Sequence, residues 1–136
     1  MIRDSAIGTA TYILLTAVAV AALMVLTVKI LKSRGYDLNP WIIAVLTAAS
    51  FPFVFAIDRG NSIIYAAVLS LFFAYGYKSP DSRVRFASYL SIALAVSIKA
   101  YPAVLLVLLM RERRWKDFAV GAVMSLILLT VPFVFT

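Results

Sequence analysis

The chain has no cysteine and no histidine. The first absence rules out a disulfide framework, and the two together rule out thiolate and imidazole metal sites. A cysteine nucleophile and a histidine general base are excluded as well. Carboxylates are scarce, with six Asp and Glu in 136 residues. Whatever chemistry the chain performs must rest on those few acids, on Lys, Arg, Tyr and Ser, or on the backbone.

What remains is apolar. Hydrophobic residues make up 64% of the chain and mean hydropathy is +1.00, more than a soluble domain of this length can place inside one core. The excess would face water as aggregating patches, so the composition points to a bilayer as solvent. The first apolar stretch, Ile7 to Val28, is longer than a signal-peptide core and has no small-residue cleavage site after it. It is read as a retained spanning helix. The expected fold is all-α, a polytopic integral membrane protein forming a single module over residues 1–136.

Polar connectors divide the sequence. Helices are predicted over Ile7–Leu31, Pro40–Ile57, Ser62–Tyr77 and from Phe118 onward. Asn39-Pro40 is a helix start, because proline at the first helical position loses no needed hydrogen bond. Pro52 predicts a kink in the second helix. In Asp58-Arg59-Gly60-Asn61, glycine suits a C-terminal cap and asparagine an N-cap. The stretch Phe86–Met110 reads either as one span with Lys99 near its centre or as a hairpin bent at Lys99-Ala100-Tyr101-Pro102.

Charge distribution separates these two readings. With a hairpin, ten of the 13 Lys and Arg fall on one side: Lys29, Lys32, Arg34, Lys78, Arg83, Arg85, Arg111, Arg113, Arg114 and Lys116. Only Arg3, Arg59 and Lys99 remain opposite. With a single span the cations divide evenly. Cytoplasmic loops carry the excess, so the hairpin is favoured and the total becomes about six helices in a multi-pass cell-membrane protein, with most basic loops cytoplasmic. Arms of about sixteen residues reach roughly 24 Å at 1.5 Å per residue. That falls short of a hydrocarbon core of roughly 30 Å, which puts the hairpin tip inside the membrane boundary on the extracytoplasmic side.

The corner at Asp58-Asn61 and the bend at Lys99-Pro102 thus share that side. Each has two readings. The corner is a solvated tight turn, or a charged site where Arg59 grips a phosphate through two parallel hydrogen bonds. Lys99 is a lysine snorkelling from a bend, or a cation held for a lipid phosphate. Pro102 disrupts the helix and restricts Tyr101. The run Arg111–Lys116 is expected to be a solvated cytoplasmic loop in contact with anionic headgroups, without chemistry. Trp41, Trp115, Tyr36 and Tyr77 sit near helix ends, as interfacial aromatics do.

In this order, Asp-Arg-Gly-Asn at 58–61, Lys-x-Tyr-Pro at 99–102 and the Arg-rich loop with Trp115 resemble polyprenyl-phosphate-dependent GT-C membrane glycosyltransferases, especially glycosyltransferase family 87. The resemblance is clearest from Phe51 to Trp115. It implies an alpha-mannosyltransferase-like activity, with a mannose-like sugar passing from a polyprenyl-phosphate donor on the extracytoplasmic side. Arg59 and Lys99 would bind the donor phosphate, with Asn61, Tyr101 and Pro102 in support. Asn61 would orient a ligand hydroxyl or brace the turn. Asp58 is the candidate catalytic base, and Asp4 is a second carboxylate near the outer side but without a motif.

The chain also departs from that pattern. Full enzymes of this type are several times larger, and their catalytic aspartate usually lies in a first extracytoplasmic loop before the matched region. The expectation is therefore a fragment, a truncated frame or one part of a split enzyme whose remainder is a partner. The other expected partners are membrane lipids and the polyprenyl-phosphate-linked sugar, with no nucleic acid. No cofactor or metal is implied. The competing reading is a small non-enzymatic membrane protein, such as a lipid-linked-sugar translocase component or an assembly subunit. A proton-coupled transporter or channel is a third, disfavoured because the membrane-level charges form no carboxylate relay.

Overall fold

The computed structural model describes residues 2–36 and 39–134, and the side chains of 7–36 and 39–130. Among these residues the structure is all-helical, without a strand. Asp4 lies outside the described side chains. The chain divides into two compact units, Met1–Ile64 and Tyr65–Thr136.

In the first unit, α1 (Ile2–Ser33) packs against α2 (Pro40–Ala48). Thr16, Ala19 and Leu23 are buried, at the three- and four-residue spacing that keeps side chains on one helix face, and Val28 is buried further along. Asn39 starts α2 as predicted, its side-chain oxygen accepting the Trp41 N–H at 3.0 Å. The second predicted helix does not run to Ile57 with a kink. It ends at Ala48, and α3 (Phe51–Asp58) follows after a 43° bend. Pro52 explains the position of the break. A helical proline has no N–H to donate, and its ring collides with the carbonyl four residues back, here that of Ala48. Ser50 takes up an extended conformation, and its hydroxyl donates to the Thr47 carbonyl at 2.8 Å. The Tyr12 hydroxyl donates to the Ile57 carbonyl at 2.8 Å and ties α1 to the end of α3.

The helix α4 (Ile63–Gly76) leads through the second unit, followed by α5 (Ser82–Ile98), a 3-10 helix (Tyr101–Leu106), α6 (Val107–Arg111) and α7 (Trp115–Val134). Phe73, Tyr77, Tyr89, Ile92, Ala95, Leu106 and Leu109 form its core. Phe73 stacks on Tyr77 with ring centroids 5.4 Å apart and lies 6.5 Å from Tyr89. The most extensive packing is between α5 and α7, and small residues of both helices are buried: Ser88 and Ser91 in α5, Gly121 and Ser125 in α7. Each buried serine hydroxyl donates to a carbonyl of its own helix, so no polar group is left unmatched.

Phe86–Met110 is not one helix. Pro102 sets the limit by the same rule as Pro52: four residues before it is Ile98, the last residue of α5. The return arm runs back to the far end of α5, where Arg114 reaches Tyr77 and Tyr89. The two-arm reading therefore holds within this unit. The arms are unequal, with 17 residues in α5 and a return arm that opens as a 3-10 helix, a tighter form with about 2 Å rise per residue.

Among the described residues, one helix is long and apolar enough to cross a membrane by itself, over Ile7–Ser33. The bent pair α2–α3 makes a second if it is one span, while α4 and Tyr101–Arg111 are shorter apolar helices.

Two glycines mark close helix contacts of different kinds. A Cβ on Gly76 would lie 3.0 Å from the Ser88 Cβ and 3.3 Å from the Val84 carbonyl oxygen, neither free to move. A Cβ on Gly121 would meet only the Leu106 Cδ2, at 2.8 Å, and that methyl can swing away. Gly76→Ala is expected to destabilise by about 1–3 kcal/mol, as overpacking does. Gly121→Ala should be near neutral, because the alanine gains up to about 1 kcal/mol of helix propensity. Thermal unfolding in detergent distinguishes the two.

Candidate functional site

The corner after α3 is built by its backbone. Gly60 adopts φ +62°, the left-handed region that costs an L-residue roughly 1–2 kcal/mol and glycine almost nothing. That turn lets the Gly60 N–H donate to the Ile57 carbonyl at 3.1 Å and the Asn61 N–H to the Ala56 carbonyl at 2.8 Å. These are the two bonds of a Schellman cap. The Asn61 side-chain oxygen then accepts the Ile63 N–H at 3.2 Å at the start of α4. That bond holds the Asn61 side chain within the turn. Asp58 and Arg59 are exposed, and the Arg59 guanidinium lies 4.8 Å from the Phe55 ring centroid, one turn back.

The bend in the second unit has a different construction. The Lys99 N–H makes the last bond of α5, to the Ala95 carbonyl at 2.9 Å, and the residue then extends to φ −147°, ψ 134°. Lys99 and Tyr101 are exposed and Pro102 is buried. Tyr101 and Pro102 close one end of a groove of about 350 Å³. Ala67, Leu71, Ala74 and Leu105 supply most of its remaining wall, and its surface is entirely apolar. Ser70 also lines it, with its hydroxyl donating to the Ala66 carbonyl at 2.7 Å. Lys99 is thus exposed two residues in sequence before Tyr101, a lining residue of that groove. Arg59, Asn61 and Asp58 belong to one unit and Lys99, Tyr101 and Pro102 to the other, each set placed by its own unit.

The sequence reading missed a polar network at the opposite end of the second unit. Arg114 donates to the Tyr77 carbonyl at 2.7 Å and the Tyr89 hydroxyl at 3.2 Å, and pairs with Asp117 at 2.6 Å. Glu112 accepts from the Tyr77 hydroxyl at 3.1 Å and pairs with Lys78. The run Arg111–Lys116 is therefore not simply solvated, because Arg114 in it fastens three helices together. The spacing from Tyr77 to Arg114 is too long for any local pattern to reveal this. The Lys78 ammonium holds the Glu112 carboxyl below its usual range, and Glu112 raises Lys78 in return.

The described residues are all-helical and strongly apolar, with one helix long and apolar enough to cross a membrane. The glycosyltransferase family 87 model matches residues 3–136, and the chain belongs to that family. No curated protein and no solved structure matches it.

Two measurements check these assignments. Gly60→Ala should cost about 1–2 kcal/mol from the left-handed backbone alone, and Asn61→Ala about 1 kcal/mol as a lost cap, with Asn61→Asp close to neutral. Chemical unfolding reads both. Glu112 should titrate below 4.5, and Lys78→Gln should move it back toward 4.5, followed by carboxyl ¹³C shifts. The sign follows from linkage: a lowered carboxylate pKa stabilises above the unfolded value and loses that contribution as pH falls through the folded one.

Proposed function

We propose that the chain is part of a multi-pass membrane glycosyltransferase that moves a mannose-like sugar from a polyprenyl-phosphate donor on the extracytoplasmic side. The family supports a glycosyltransferase in general. The observation that carries the finer reading is Lys99, exposed in an extended break between helical arms and two residues in sequence before Tyr101, which lines an apolar groove. A donor with an anionic phosphate and a long hydrocarbon chain matches that pairing of cation and apolar surface. The exposed Ile13, Leu14, Leu15 and Val18 on α1, and Val123, Leu126 and Ile127 on α7, suit hydrocarbon as their solvent. The clustered basic loops would be cytoplasmic.

In this reading the acceptor hydroxyl attacks the anomeric carbon while the bond from that carbon to the phosphate oxygen breaks. The leaving polyprenyl phosphate gains negative charge, for which Lys99 of the second unit is the proposed electrostatic partner, with Arg59 of the first unit proposed separately as a phosphate ligand. Arg59 offers a planar fork suited to two phosphate oxygens and Lys99 a point charge. The hydroxyl proton passes to a carboxylate, for which Asp58 is the proposed acceptor in this chain. Tyr101 and Pro102 hold the bend, and Asn61 holds the corner.

The test is sugar transfer from a radiolabelled polyprenyl-phosphate mannose by membranes containing the chain, or a complete homologous enzyme changed at the matching position. Lys99→Ala should lower transfer at least about 100-fold, the scale of losing one donor to a developing anion. Arg59→Ala should lower it by a smaller factor. Undiminished transfer by Lys99→Ala sinks the reading.

A further inference from the structure

We propose that the end of the second unit formed by residues 78–85 and 111–117 is a docking surface for the headgroups of anionic phospholipids. The inference rests on the membrane reading above but not on sugar transfer. Seven cations stand here with three carboxylates: Lys78, Arg83, Arg85, Arg111, Arg113, Arg114 and Lys116 with Asp81, Glu112 and Asp117. The network decides which of them are free. Glu112 is spent on Lys78 and Asp117 on Arg114. The Asp81 carboxylate accepts the Arg83 backbone N–H as the cap of α5. Arg85 donates to the Ser79 carbonyl.

Arg83, Arg111, Arg113 and Lys116 are left, all exposed and with no ion pair among the described residues. Their closeness follows from the fold. Arg114 bonds to Tyr77 and Tyr89 hold the loop after α6 against the start of α5, which brings two basic segments together. Arg113 itself sits at φ 56°, an unusual conformation for an arginine. That turn lets the Arg113 N–H cap Met110 at 2.9 Å and the Arg114 N–H cap Leu109 at 2.9 Å. A concavity of about 450 Å³ opens between Arg113 and Asp117, lined also by Trp115 and Lys116.

The occupant follows from what adjoins the charge. Trp115 is exposed among the cations, and α7 exposes apolar side chains from its second turn onward, at Val120, Val123 and Leu126. A tryptophan level with basic residues at the head of an apolar helix is the layering of a membrane interface. Clustered Lys and Arg at that depth attract anionic lipid. A surface built for a soluble polyanion would have no reason to continue into exposed aliphatic side chains.

The test uses the full chain reconstituted in phosphatidylcholine bilayers, with spin-labelled phosphatidylglycerol or spin-labelled phosphatidylcholine as probe. Electron paramagnetic resonance reads the fraction of each probe immobilised by the protein. Phosphatidylglycerol should be preferred several-fold, on the order of tenfold at low salt, with the preference shrinking as salt rises. Arg111→Gln/Arg113→Gln should remove most of it. Lys32→Gln/Arg34→Gln removes the same charge from the first unit and should leave most of it. Equal losses in the two variants would mean that net charge, not this surface, selects the lipid, and would overturn the proposal. Immobilised lipid without headgroup preference also overturns it while leaving the membrane reading intact. No immobilised lipid at all would overturn both.

Discussion

One steric conflict organises the second unit: a proline ring cannot occupy the space of the helical carbonyl four residues before it. Pro102 therefore ends α5 at Ile98. Everything the bend offers follows from that ending. Lys99 leaves the helix with extended backbone, Tyr101 stays exposed, and the buried ring of Pro102 starts the return arm. Pro52 applies the same rule in the first unit, where α2 ends at Ala48. There, however, the chain resumes as α3 at 43° instead of turning back. Proline fixes where a helix stops. What the next residues pack against decides where the chain goes afterwards.

Local rules of this kind made much of the fold legible. Asn39-Pro40 opens α2, Gly60 caps α3 and Asn61 opens α4 through hydrogen bonds within five residues in sequence, and Pro102 breaks the hairpin by the bulk of its ring. The two-arm form of 86–110 also came from loop charges, a property of the chain as a whole. Segment limits were less legible. Pro52 was read as a kink within one helix; the chain does bend there, by 43°, but Ala49 and Ser50 leave the helix and divide it in two.

The candidate site divides along the same line. The corner and the bend were visible because each is a compact motif with a backbone reason for its residues. The Arg114 network was not, since Tyr77, Tyr89 and Arg114 come from three segments and meet only after α5 and the return arm have packed. A basic loop in an apolar chain has an adequate explanation in orientation alone, and that explanation hid the fastening role of Arg114. Glu112 was hidden likewise, as a lone acid among cations whose partners, Tyr77 and Lys78, lie some 35 residues earlier.

The corner at Gly60 carries a consequence for substitution. Its shape depends on two main-chain bonds, the absence of a glycine Cβ and one asparagine oxygen. None of these involves the side chains of Asp58 or Arg59. Form and charge are therefore separable here: substitutions at 58 and 59 leave every bond of the turn in place, whereas substitutions at 60 and 61 remove what holds it.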